Sequence, residues 1–233
     1  MTDPATERPP APHTTLEDLL TTRHSCRAFL PAAVPRADIE RILLLAQRAP
    51  SWCNAQPWQV HVLSGAATRR LASALYDAAR RGERRPELEP PREYTGVYRD
   101  RRRECGHALY NGLGIQRADQ GRREEQRLAN FRFFGAPHVA LITTDEQLGT
   151  YGAVDCGGYV TTLLLAAQSL GIAAVPQAAI AMTSATVREQ IAIPANRRIV
   201  CAVSFGYADE AHPANSFRTS RASLREAVEW IDT

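Results

Sequence analysis

The stretch from residue 150 to 170 is the most apolar run in the chain, with Leu163, Leu164, Leu165, Ala166 and Ala167 in succession. It is too long for a strand and nearly long enough to span a membrane. Asp155, Gly157, Gly158, Thr161, Thr162 and Gln168 interrupt it, so it reads as a buried central helix. Gly171 ends it, as a glycine just past a helix C-terminus does. Such a helix needs more apolar cover than one small sheet can give, and a two-fold helical interface would supply the rest.

Around that helix the other elements fall in order. Thr14 and Glu17 fit a capping box opening a short helix with Leu16, Leu19 and Leu20. Ile39, Ile42, Leu43 and Ala46 give a helix over 36–48, stopped by Pro50. Trp58, Val60 and Val62 alternate with polar residues as a strand does. A helix is expected over 66–81. Gly82, Pro86, Pro90 and Pro91 then mark a loop. Helices follow over 98–116 and 121–133. Strands are expected at Val139–Thr144, 173–177 and Ile199–Phe205, with short helices near 184–190 and 220–231. This order predicts an α+β fold, a modest sheet wrapped by helices. Residues 1–13 read as a disordered tail, 14–233 as a single domain, and 82–117 as a lid on the substrate side.

Composition removes several chemistries. The chain has no lysine, so all 28 basic residues are arginine. That excludes a Schiff-base lysine and the lysine of a phosphate-binding P-loop. A net charge of +3 points to neither a nucleic-acid binder nor a membrane-surface protein. The five cysteines are scattered with no C-x-x-C pair, against a disulfide framework or a zinc site and in favour of the cytosol. No signal peptide is visible. His13, His61, His107, His138 and His212 are isolated, and no hydrolase motif is present. Gly112-Leu113-Gly114 is only a fragment of a dinucleotide fingerprint. The arginine run at Arg99 and Arg101 to Arg103 reads first as a solvated helix face with ion pairs, and second as a phosphate or acidic-substrate contact.

Two polar clusters flank the 36–48 helix. One is Arg23-His24-Ser25-x-Arg27; the other is Ala49-Pro50-Ser51-x-x-Asn54-x-Gln56-Pro57-Trp58. In this order and spacing they resemble the opening of the FMN-dependent nitroreductase family, and the likeness extends over about residues 14–230. The resemblance implies a small, mostly antiparallel sheet wrapped by helices in an intertwined homodimer. It implies that Arg23 and Ser25 hold the FMN phosphate and ribityl chain, flanked by His24. Arg27 would lie near the flavin pyrimidine, where relatives often carry lysine. Pro50, Ser51, Trp52, Asn54 and Gln56 would reach the flavin from the partner subunit. Asn130 and Arg132 would form a further ring-side pair, and the backbone of Pro176, Gln177 and Ala178 would pass the N5 edge. Arg218 or Arg221 would complete the phosphate site, with Arg221 preferred. Taken singly, Arg27 also fits a surface ion pair and Asn54 a turn.

The residues suit these parts: guanidinium and hydroxyl donors for a phosphate, amides for a pyrimidine edge. The middle segments YRDRRRECGHALYNGLGI and NFRFFGAPH resemble the nitrobenzoate and nitroaromatic reductase subgroup. The implied activity is ping-pong, two-electron reduction of a nitroaromatic or quinone acceptor by NADH or NADPH, with no obligatory catalytic side chain. Other chemistry on the same fold (dehalogenation, dehydrogenation or flavin cleavage) would use the same cofactor residues, as would a non-catalytic flavin-binding protein.

Overall fold

The central strand of the sheet is β2 (His138–Asp145), buried along nearly its whole length. Its alternation places Val139 and Leu141 in one apolar cluster and Ala140 and Ile142 in another, so both faces of the sheet are covered. A computed structural model describes residues 15–232 of the chain. The expected tail 1–13 lies outside the described residues.

The elements run α1 (Leu16–Thr22), α2 (Arg36–Ala46), β1 (Gln59–Ser64), α3 (Ala66–Arg80), α4 (Gly96–Gly112) and α5 (Gln120–Leu128) before β2. After it come α6 (Gly149–Ser169), β3 (Ala173–Gln177), α7 (Ala178–Ala181), α8 (Ser184–Gln190), β4 (Arg197–Gly206) and α9 (Leu224–Ala227). The sheet order is β1-β2-β4-β3 and every strand pair is antiparallel. One face carries α3, α7 and α8, through Leu71, Leu75, Ile180 and Val187. The other carries α2 and α6, through Ile39, Ile42, Tyr159 and Leu163, with Trp58 stacked on Tyr159 at 4.8 Å.

The expected helix at 150–170 is α6, and Gly171 follows it with φ 70°. Among the described residues only one side of α6 is covered. Cys156, Tyr159, Leu163 and Leu164 are buried, whereas Tyr151, Val154, Gly158 and Thr161 are exposed. Its first turn lies so close to β2 that a Cβ on Gly152 would meet Thr144 Oγ1 at 2.5 Å.

Four expectations need correction. The first helix is capped by Thr15 and Asp18, one residue later than expected: Thr15 Oγ1 accepts from Asp18 N at 3.2 Å, and the Asp18 carboxylate accepts from Thr15 N at 3.0 Å. The helix expected over 98–116 starts earlier and ends at Gly112, where Gly114 takes φ 61° and Ile115 N–H donates to Tyr110 O at 2.8 Å. The helix expected over 121–133 stops at Leu128; a kinked 3₁₀ stretch follows, with Phe133 and Phe134 in the left-handed region, which buries both rings. The terminal helix shrinks from 220–231 to the four residues of α9. Among the described residues no core lies beneath it, and Trp230 and Ile231 are 75% and 79% exposed.

Candidate functional site

The first polar cluster runs beside the free edge of β3. Ser25 bridges Ala174, and Cys26 N–H donates to Ala174 O at 3.2 Å. The buried amide of Asn215 then ties this segment to the chain's C-terminal part. Its Oδ1 accepts from Arg27 N at 2.7 Å, and its Nδ2 donates to Ala28 O at 2.9 Å and Asp209 O at 2.8 Å. Arg27 donates to Ser25 O at 3.2 Å and lies 5.4 Å over the Phe217 ring. Arg218 donates to Asn215 O at 2.8 Å, and Arg221 to Thr219 Oγ1 at 2.7 Å. Asn215 therefore brings Arg218 and Arg221 to the cluster that holds Arg23.

Burial is the main cause of the shifts in this cluster, with neighbouring cations adding to it at Arg23 and His24. Burial first, and then Arg221, pushes the Arg23 pKa down. Burial also lowers His24, against its contact to Thr22 O, with Arg218, Arg23 and Arg27 adding to the shift. Arg27 is lowered by burial, opposed by Cys105 and Cys26. Among the described residues none of Arg23, Arg27, Arg218 and Arg221 pairs with a carboxylate. Four guanidinium groups and a serine without a counter-ion are a donor set that fits a phosphate monoester.

The second cluster is a strained turn. Cys53, Asn54 and Gln56 have φ of 50°, 56° and 47°, a conformation that costs energy for non-glycine residues and concentrates at functional sites. Ser51 Oγ accepts from Gln56 N at 2.9 Å, and Gln56 Nε2 donates to Asn54 Oδ1 at 3.1 Å. Trp52 N–H donates to the Asp155 carboxylate at 3.2 Å, and its ring meets Tyr151 edge-on at 4.5 Å. Pro50, Trp52, Asn54 and Gln56 are exposed, so this rigid turn presents its polar atoms outward.

The two clusters sit at opposite ends of α6. Gln168 Nε2 donates to Thr22 Oγ1 at 3.3 Å beside the first, whereas Tyr151 and Asp155 hold the second. From Asp155 to Gln168 is thirteen residues of helix, or about 20 Å. One chain does not bring Ser51, Asn54 and Gln56 to Arg23 and Ser25.

At the end of β3 the side chains alternate. Pro176 and Ala178 are exposed, while Gln177 is buried, donating to Asn130 O at 2.8 Å and accepting from Ser204 Oγ. The expected ring-side pair is engaged locally. Asn130 Nδ2 donates to Arg127 O at 3.3 Å; Arg132 stacks 3.7 Å over Tyr76 and lies 3.5 Å from Glu125. Of this pair it is the Asn130 carbonyl that bonds the Gln177 side chain.

The 82–117 excursion has a fixed root. Glu87 pairs with Arg188 and accepts from Ile199 N at 2.8 Å. Beyond it, α4 lies against the C-terminal segment, with Arg101 3.4 Å from Glu226 and Ser220 Oγ donating to Glu104 at 2.8 Å. Helix α4 thus flanks the first cluster. Arg99 pairs with Asp100 at 3.0 Å, in keeping with a solvated face, but Arg103 has no carboxylate partner among the described residues.

No sequence pattern marks Asn215 or Asp155 as part of a site: Asn215 carries only a turn signal in Pro-Ala-Asn-Ser, and Asp155 reads as an interruption of the apolar run of α6. Among the described residues no helix is long and apolar enough to cross a membrane.

The sequence profile of the Nitroreductase family matches residues 20–207. The chain is 39% identical over 217 residues to nitroreductase NfnB of Mycolicibacterium smegmatis, covering 92% of each chain. It is 36% identical to a 4-nitrobenzoate reductase of Nocardioides sp., covering 90% of this chain and 87% of that one. The structure superposes with a TM-score of 0.88 on the FMN-dependent nitroreductase NfnB from Mycobacterium smegmatis in complex with NADPH, at 37% identity, over 92% of this chain and 97% of that one.

Proposed function

The chain belongs to the nitroreductase family, and from that premise we propose that it is an FMN-dependent oxidoreductase using NADH or NADPH to reduce nitroaromatic or quinone acceptors two electrons at a time. The observation that carries this reading is the cluster of Arg23, Arg27, Arg218 and Arg221 on the segments that Asn215 ties together, none of them ion-paired with a carboxylate among the described residues. Arg23, Ser25 and Arg221 bind the phosphate of FMN, and Arg218 supports them. Arg27 puts positive charge at the pyrimidine edge, where negative charge gathers when the ring takes up electrons. Pro176 and Ala178, exposed at the end of β3, border the ring. FMN held there supplies the electron transfer, and no side chain is required as an obligate acid.

The site is completed by a second copy. The 20 Å scale of the separation along α6 supports a homodimer in which Ser51, Asn54 and Gln56 of the partner subunit face Arg23 and Ser25. So do the uncovered apolar groups: Val154 on α6 at 60%, Leu44 on α2 at 69%, and the tail residues Trp230 and Ile231. Residues 14–233 act as one domain, with 82–117 bordering the acceptor space. Five free thiols suit a reducing cytosol.

The test is release and identification of the chromophore, followed by steady-state assays. FMN should be recovered, and a nitroarene should be reduced to the hydroxylamine at the expense of NADH or NADPH. Donor and acceptor sharing one place should give parallel double-reciprocal lines. Recovery of FAD, or no flavin after reconstitution, overturns the reading.

A further inference from the structure

Helices α4 and α5 enclose an open groove of about 710 Å³ that the cofactor site does not use. Arg103, His107 and Tyr110 line one wall at i, i+4 and i+7, which puts them on one face of α4. Arg117 and Arg123 line the other. None of the groove's lining residues is acidic.

The groove is held in shape by groups that face away from it. At the turn between the helices, Arg122 donates to Gly114 O at 2.9 Å and Leu113 O at 3.0 Å, closing the end of α4. Asp119 accepts from Gln116 N at 3.0 Å and lies 3.9 Å from Arg122. The one nearby carboxylate of the turn is thereby occupied. Arg123 is oriented by Tyr110, whose ring lies 5.0 Å from its guanidinium, and by a bond to Arg117 O at 3.3 Å. Arg103 and Arg117 have no carboxylate partner among the described residues, unlike Arg99 and Arg101 in the same run.

Three guanidinium groups converging without a counter-ion call for a ligand of more than one negative charge. The adjoining face of α4 borders the segment read above as holding the cofactor phosphate: Ser220 donates to Glu104, and Glu104 and Cys105 line one cavity with Arg218 and Arg221. A ligand whose reactive end meets the flavin and whose other end is a dianion therefore has a place along α4.

We propose that this groove binds the 2′-phosphate of NADPH through Arg103, Arg117 and Arg123, and so selects NADPH over NADH. The assignment rests on the reading of the chain as an NAD(P)H-dependent enzyme.

The test uses the FMN-loaded protein and an R103Q/R117Q variant. Arg123 is left in place because it packs on Tyr110. Calorimetry compares adenosine 2′,5′-bisphosphate with adenosine 5′-monophosphate, which needs no turnover. The bisphosphate should bind at least tenfold tighter, and the variant should lose that preference while keeping its flavin content. In turnover the variant should raise KM for NADPH at least tenfold, with kcat and the KM for NADH unchanged. Equal binding of the two probes overturns the proposal, as does a preference that survives in the variant. So does a variant whose defect is confined to nitrobenzoate relative to nitrobenzene, which would give the groove to the acceptor's carboxylate. Absence of flavin, or of activity with either donor, would instead defeat the functional reading itself.

Discussion

Glu87 fixes where the 82–117 excursion can begin to move. Strand β3 stops opposite Ala202, so the Ile199 N–H further along β4 has no strand partner there, and Glu87 supplies the acceptor at 2.8 Å. The same carboxylate pairs with Arg188, the two side chains being 16% and 25% exposed. Replacing Glu87 by alanine removes a charge-assisted bond, worth about 1.5–3 kcal/mol, and leaves the Ile199 N–H unpaired at a further cost of about 1–3 kcal/mol. Partial exposure favours the lower ends, so the expected loss is about 3 kcal/mol. For a chain of this length that corresponds to a fall in Tm of about 6–12 °C. Glu87→Gln keeps the acceptor for Ile199 and should lose roughly half as much. Thermal and urea unfolding are to be measured at fixed protein concentration with FMN in excess, alongside Arg188→Ala and the double variant. Arg188 also donates to Ile193 O at 3.0 Å, so its own variant loses more than the pair. Hydrogen exchange at the Ile199 amide reports the local event. A Glu87→Ala protein within about 1 kcal/mol of the parent, below the cost of the orphaned amide alone, would refute this reasoning. So would single losses that simply add in the double variant.

Two further outcomes follow from the site and the core. Arg27→Leu should bind FMN yet show a lower flavin reduction potential and slower reduction by NAD(P)H, because a charge-assisted contact of about 2 kcal/mol is lost; an unchanged potential means that Arg27 does not face the ring. Stability should fall on acidification below about pH 6.5, the ordinary histidine value. His24, His61 and His138 are all pushed below that value, by burial first. The unfolded chain therefore takes up protons that the folded chain refuses: the contribution is intact above pH 6.5 and is lost toward the depressed folded values. His138 Nε2 accepts from Val34 N at 2.9 Å, and its Nδ1 meets Ser64 Oγ at 2.6 Å. His138→Gln should flatten the slope of Tm between pH 7.5 and 5.5, and an unaltered slope would count against this assignment.

Where an element is long or strictly periodic, the sequence is a good guide. The apolar run ending at Gly171 is α6, the Ile39-Ile42-Ala46 spacing is the buried face of α2, and the alternation after Trp58 is β1. The first polar cluster is legible because its residues are adjacent in the chain. Its closure is not, because Asn215 meets Arg27 across 188 positions with only a turn signal to mark it. The capping box is ambiguous by one position because Thr14 and Thr15 each precede an acidic residue by three. The last helix is shorter than its pattern suggests because that pattern has no surface to pack on among the described residues: Leu224 and Trp230 stay exposed. Arg132 stacks on the face of Tyr76, and no local pattern announces that contact.

The central claim is that each flavin site is built from two chains, and complementation tests it directly. Arg23→Ala and Asn54→Ala proteins should each bind FMN poorly. When the two are co-expressed and the mixed dimer is isolated, one of its sites carries both lesions and the other carries neither. The mixed dimer should then hold close to one FMN and regain up to half of the parent activity. If a verified mixed dimer binds FMN as weakly as either parent, the two clusters serve one chain, and the shared-site account is wrong.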